Sequence, residues 1–91
     1  MNSRAVVVVS GRVQGVGYRY FALHQARLYE LVGTVRNQND GSVCVTVEGK
    51  RETLEIYLQK LKEGPKFAQV VDIAVDWQHA TGEFKDFAVR I

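Results

Sequence analysis

The chain has 91 residues, 46% of them hydrophobic, and a net charge of +2 from 12 Lys and Arg against 10 Asp and Glu. That length supports one core, so residues 1–91 read as a single domain, and the composition is too apolar for disorder. The charges are interspersed, with no basic run to follow a nucleic-acid backbone, and the one cysteine, Cys44, excludes an internal disulfide and a Cys-rich metal site.

In chain order, Ala5 to Val9 is an unbroken apolar, β-branched run that predicts a central strand. It is too short for a signal-peptide core, and nothing in the chain could span a membrane, so the expected location is the cytoplasm. From Tyr18 the period changes: Tyr18, Phe21, Ala22, Gln25, Ala26 and Tyr29 fall at helical spacing, with Arg19, His24 and Arg27 elsewhere around the helix. Leu31, Gly33 and Val35 then alternate as a strand. Asn37-Gln38-Asn39-Asp40-Gly41 is a hairpin signal, in which Asp-Gly is expected to supply the positive φ angles of a tight turn.

Beyond the hairpin, Val43, Val45 and Val47 face one side of a strand and Cys44, Thr46 and Glu48 the other. Leu54, Tyr57, Leu58 and Leu61 mark a second amphipathic helix stopped by Gly64-Pro65. Val71, Ile73, Val75 and Trp77 alternate as core-facing strand positions, with Asp72 and Asp76 facing outward. Thr81-Gly82 turns the chain into a last short strand, Phe87, Val89 and Ile91. The order predicts an α+β, ferredoxin-like split β-α-β sandwich (βαββαβ): two helices on one face of an antiparallel sheet, with a short fifth strand.

The segment from Gly11 to Arg19 carries the chemistry. Three glycines (Gly11, Gly15, Gly17) sit where the first strand hands over to a helix N-terminus, where unpaired backbone N–H groups and the helix dipole favour an anion. Tyr20 stands where a dinucleotide-binding loop needs its third glycine, and there is no Gly-Lys-Ser/Thr of a nucleotide-triphosphate loop. Arg19 lies in the first helical turn, against the dipole preference, which points to an anion that pairs with it, most plausibly a phosphate.

The wording of this loop resembles the acylphosphatase family, whose pattern is matched by Gly11, Val13, Gln14, Gly15, Val16, Tyr18 and Arg19. A second family signature is matched in spacing by Gly33, Arg36, Asn37, Gly41, Val43 and Gly49, and Gly64-Pro65 resembles the family's Gly-Pro. Two positions depart from the pattern: Thr34 replaces an aromatic, and Glu30 stands where a helix-ending glycine is common.

The resemblance implies hydrolysis of acyl phosphates to a carboxylate and inorganic phosphate. It makes Arg19 the phosphate anchor and places the backbone amides of Gln14, Gly15, Val16, Gly17, Tyr18 and Arg19 around the phosphoryl oxygens. Asn37 would hold the attacking water; without the resemblance it reads first as a turn residue at the hairpin mouth. No metal or cofactor is required, because a leaving carboxylate is a weak base and what remains is charge stabilisation and aim. The implied partners are a small-molecule acyl phosphate and inorganic phosphate as product and inhibitor, with no nucleic acid and no membrane, and the expected state is a monomer.

Other residues have plainer readings. Cys44 is a small filler on the less-buried face of its strand, and His24 and His79 are solvated. Tyr18, Phe21 and Trp77 belong to the core. Arg12 and Arg36 either raise the local positive potential or form surface ion pairs. The alternative function is an acylphosphatase-like module that binds carbamoyl phosphate or phosphate without significant hydrolysis, as occurs within larger carbamoyl-phosphate-handling proteins. An RNA-binding ferredoxin-like domain would need exposed aromatics on its central strands, and Val6 to Val9 and Val43 to Val47 offer none.

Overall fold

The structure, a computed structural model, describes residues 2–91. Its elements are β1 (Asn2–Arg12), α1 (Tyr18–Leu28), β2 (Val32–Asn37), β3 (Val43–Lys50), α2 (Arg51–Glu63), β4 (Gln69–His79) and β5 (Phe87–Arg90). The strands form one sheet in the order β4-β1-β3-β2-β5. The valine run is central, as its composition requires, with β3 and β4 antiparallel on either side. The sheet is mixed rather than wholly antiparallel, because β5 joins β2 in parallel.

Both helices cover one face. The core lies between them and the sheet, where Ala5, Val7 and Val9 of β1 and Val43, Val45 and Val47 of β3 are buried alongside Tyr18, Ala22, Ala26, Leu54, Tyr57 and Leu61 of the helices. All four apolar positions expected of α2 are buried. In α1 the buried stripe is Tyr18, Ala22, Leu23 and Ala26, with Phe21 and Tyr29 partly buried beside it. Each helix donates a tyrosine hydroxyl to a backbone carbonyl of the other, Tyr18 to Leu61 at 2.6 Å and Tyr57 to Ala22 at 2.9 Å. Burial without a charged partner pushes the Tyr18 phenol well above its ordinary range, so it stays a donor. No helix among the described residues is long and apolar enough to cross a membrane.

Strand β4 corrects one expectation. Ile73, Val75 and Trp77 turn toward the core, but Val71 is 77% exposed. The register shifts between Ser10 and Gly11: Ser10 pairs with Asp72 and Gly11 with Val70, so Val71 is the extra residue of a bulge. A side chain at Gly11 would run into the Gln69 carbonyl, so this glycine serves the close approach of the bulged strand. Trp77 is capped by the Arg51 guanidinium, 3.6 Å from its ring centroid. In the β2–β3 hairpin only Gly41 has positive φ; Asp40 does not, and its carboxylate instead accepts bonds from the Ser42 amide at 3.0 Å and hydroxyl at 2.6 Å.

Glu30 is the one non-glycine residue with positive φ among those described, at 55°. It closes α1 in a Schellman motif: the Leu31 N–H reaches the Ala26 carbonyl at 2.8 Å and the Glu30 N–H the Arg27 carbonyl at 3.1 Å. This is a left-handed position where a β-carbon costs free energy. Glu30→Gly is therefore expected to stabilise the fold by about 0.5–1 kcal/mol, raising the midpoint of urea denaturation without changing its slope. A lower midpoint would contradict the capping argument.

Glu48, read from the sequence only as a position on the other face of β3, is 2% exposed. Its carboxylate accepts from the Thr81 N–H and hydroxyl at 2.9 Å each, the Gly82 N–H at 3.0 Å and Arg4 at 3.1 Å. Burial opposes its ionisation, but the hydrogen bonds from Thr81, Gly82 and Arg4 outweigh burial and hold its carboxyl below the usual glutamate range. The stabilisation is thus complete above the unfolded glutamate pKa and is lost as pH falls through the lower folded value. Glu48→Gln should cost about 2 kcal/mol at pH 7, or about 10 °C in Tm, and the difference from wild type should shrink toward pH 3. Thermal melts of both proteins from pH 7 to 3 test this; a constant difference would refute the assignment.

Candidate active site

The loop from Val13 to Gly17 leaves β1 and enters α1. Val13 is buried and Val16 packs against the core, so the loop is anchored by its two valines while its glycines are exposed. Gly15 and Gly17 have φ of 73° and 79°, and a β-carbon on either would meet nothing within 4 Å. Backbone conformation, not crowding, therefore requires glycine there. These two left-handed residues bend the chain sharply between β1 and α1.

The bend carries free donors. Gly17 caps α1 without any side-chain hydrogen bond, and the first turn holds no acidic residue. The first bond of the helix runs from the Phe21 N–H to the Gly17 carbonyl at 3.1 Å, and the backbone N–H groups of Gln14 through Arg19 donate to no other described residue. Arg19 is partly buried and forms no ion pair among the described residues, where the ion pairs are those of Arg4 with Glu48 and Glu83. A guanidinium without a carboxylate and unpaired amides at the positive end of a helix have the chemistry that suits an anion.

Asn37 reaches this site through the sheet. Along β2 the buried positions Gly33 and Val35 face the helices, and Asn37 is next in that alternation. Its Oδ1 is buried and has no hydrogen-bond partner among the described residues. A buried acceptor in that state carries a desolvation cost unless a donor arrives. The Gln14 side chain joins the two halves: its Nε2 donates to the Gln38 carbonyl at 2.8 Å and the Ser42 carbonyl at 2.9 Å. The loop is thus tied to the hairpin at the residue after Asn37.

A family model described as Acylphosphatase matches residues 5–89. This chain belongs to the acylphosphatase family. An acylphosphatase of Thermus thermophilus is 47% identical over 79 residues, 87% of this chain and 90% of that protein. One of Salinibacter ruber is 44% identical over 82 residues, 90% and 86% of the two chains. The crystal structure of acylphosphatase from Bacillus subtilis superposes with a TM-score of 0.95 at 34% identity, covering 98% of this chain and 99% of that one. The chain is accordingly an acylphosphatase-type hydrolase with the fold expected from its sequence.

Two acylphosphatase site features were not legible in the loop itself. The side chain of Gln14, read as a cradle amide only, is the strut between loop and hairpin. Tyr18 serves the loop from its buried side, 1% exposed, by fastening the helix start to the end of α2. Their signal was present only as a polar residue and an aromatic flanking the glycines. Cavities of about 450 Å³ on the sheet face away from the helices and about 410 Å³ around Tyr29, Glu30 and Lys50 lie away from the loop, and one of about 320 Å³ is lined by Asn37. His24 and His79 are both exposed, as expected of solvated residues.

Proposed function

We propose that this chain acts as a single, monomeric cytoplasmic domain that hydrolyses acyl phosphates without a metal, with Arg19 and Asn37 as its catalytic residues. The unpaired N–H groups of Gln14 through Arg19, beside an unpaired guanidinium, carry the reading. They match the needs of a dianionic phosphoryl group: the amides take its equatorial oxygens, and Arg19 pairs with it bidentately. Asn37 accepts a proton of water at its free Oδ1, which directs a lone pair of that water toward phosphorus. The water oxygen attacks as the bond from phosphorus to the acyl oxygen breaks, and the carboxylate leaves with the electron pair. No strong base is needed, since the transition state is loose and the water proton passes to the phosphoryl oxygens.

The test is hydrolysis of benzoyl phosphate. Turnover is expected, with inorganic phosphate competing for the same cradle and raising KM alone, and with no loss in EDTA. The alternative, a binding module for carbamoyl phosphate or phosphate, predicts binding of carbamoyl phosphate with no release of benzoate from benzoyl phosphate. Inhibition by EDTA would overturn the metal-free mechanism.

A further inference from the structure

The sheet face not covered by the helices holds a cavity of about 450 Å³ that the hydrolytic site does not use. Its floor is Thr34 and Cys44, open-face positions of β2 and β3, and its walls are Phe84 and Ile91. Arg36 and Arg90 project at its edge. They are direct neighbours in the parallel β2–β5 register, so two guanidinium-bearing positions lie about 4.8 Å apart across the ladder. Neither forms an ion pair among the described residues, whereas Arg4, also in the lining, pairs with Glu48 and Glu83 through Nη1 and leaves its buried Nε without a partner among those residues. Adjacent like charges across a sheet destabilise each other, and a bound anion relieves that repulsion.

The cavity is built rather than incidental. Thr34 stands at its floor in place of a larger aromatic, which leaves the space open. Phe84 is held over it because Arg4 lies 5.5 Å from its ring while bonding to Thr81 and Glu83 of the same segment. Its volume is in the range of small-molecule pockets and larger than inorganic phosphate needs. Its floor positions face away from Asn37 and α1, while Arg36 and Ile91 at its edge also line the neighbouring cavity beside Asn37.

We propose that this cavity is a second anion site, for an organic anion whose acidic group bridges Arg36 and Arg90 and whose apolar body lies against Phe84 and Ile91. The cysteine in the floor supplies the readout, because Cys44 is the only thiol in the chain and is partly accessible. The rate of Cys44 alkylation by neutral iodoacetamide is measured at constant ionic strength against 2-naphthoate, with neutral naphthalene-2-carboxamide as control. Naphthoate is expected to slow alkylation at least about fivefold and the carboxamide to have little effect. Arg90→Gln, and separately Arg36→Gln, should raise the half-protecting concentration about tenfold or more, the worth of one charged hydrogen-bonding partner. Arg19→Ala should leave protection unchanged, which separates this site from the phosphate cradle and from the fate of the proposed hydrolysis. Absence of protection, equal protection by the carboxamide, protection that survives in both arginine variants, or its loss in Arg19→Ala would each overturn the proposal.

Discussion

Arg19→Ala is expected to lower kcat/KM for benzoyl phosphate by about a thousandfold or more, with both binding and turnover affected. The guanidinium is the one side-chain cation at the α1 N-terminus without a carboxylate partner, so it answers both the ground-state charge of the phosphoryl group and the charge spread in the transition state. Arg19→Lys separates the two contributions. It keeps the charge but loses the planar fork, so it should recover binding more than turnover. The fold should survive either change, since the Arg19 side chain makes no hydrogen bond or ion pair among the described residues, and circular dichroism provides that control. Hydrolysis by Arg19→Ala within about tenfold of wild type would remove Arg19 from the mechanism.

Asn37→Ala is expected to lower kcat about a hundredfold while KM stays within about threefold. In the proposed mechanism the amide touches the nucleophile and not the phosphoryl group, so substrate should still bind in the cradle and wait for a poorly aimed water. Asn37→Asp adds a sharper test. The carboxylate is nearly isosteric and could still accept from water, but its charge would face the phosphoryl dianion, so KM should rise as well. Steady-state kinetics on the three proteins distinguish these outcomes. Equal losses in binding and turnover for Asn37→Ala would place the amide on the phosphate instead of on the water.

Much of the molecule was legible in its residues because local rules and the tertiary fold agree. The valines of β1 and β3, the i, i+3, i+4, i+7 spacing of Leu54, Tyr57, Leu58 and Leu61, and the Gly64-Pro65 stop each place an element by its own periodicity. Val71 shows where period alone fails. Its alternation with Ile73 is perfect in sequence, yet the bulge opposite Gly11 inserts one residue and turns it to solvent, and only pairing with β1 decides that. Glu48 shows the same limit for charge. Alternation assigned it to the open face, but Arg4, Thr81 and Gly82, remote in sequence, converge there and bury it.

The proposed catalytic pair divides along the same line. By themselves Gly15, Gly17 and Arg19 pointed to an anion, because positive φ and free helix amides are local properties of a few consecutive residues. Asn37 alone stayed a hairpin residue. Its place beside the cradle depends on the β2 alternation that aims it to the helix side and on the Gln14 bonds that bring the loop to the hairpin. The Arg36–Arg90 neighbourhood belongs wholly to tertiary structure: residues 54 positions apart become adjacent only when β5 pairs in parallel with β2. Sequence determines what a short segment prefers; where segments meet depends on sheet order and register, which are set by burying all the apolar faces at once.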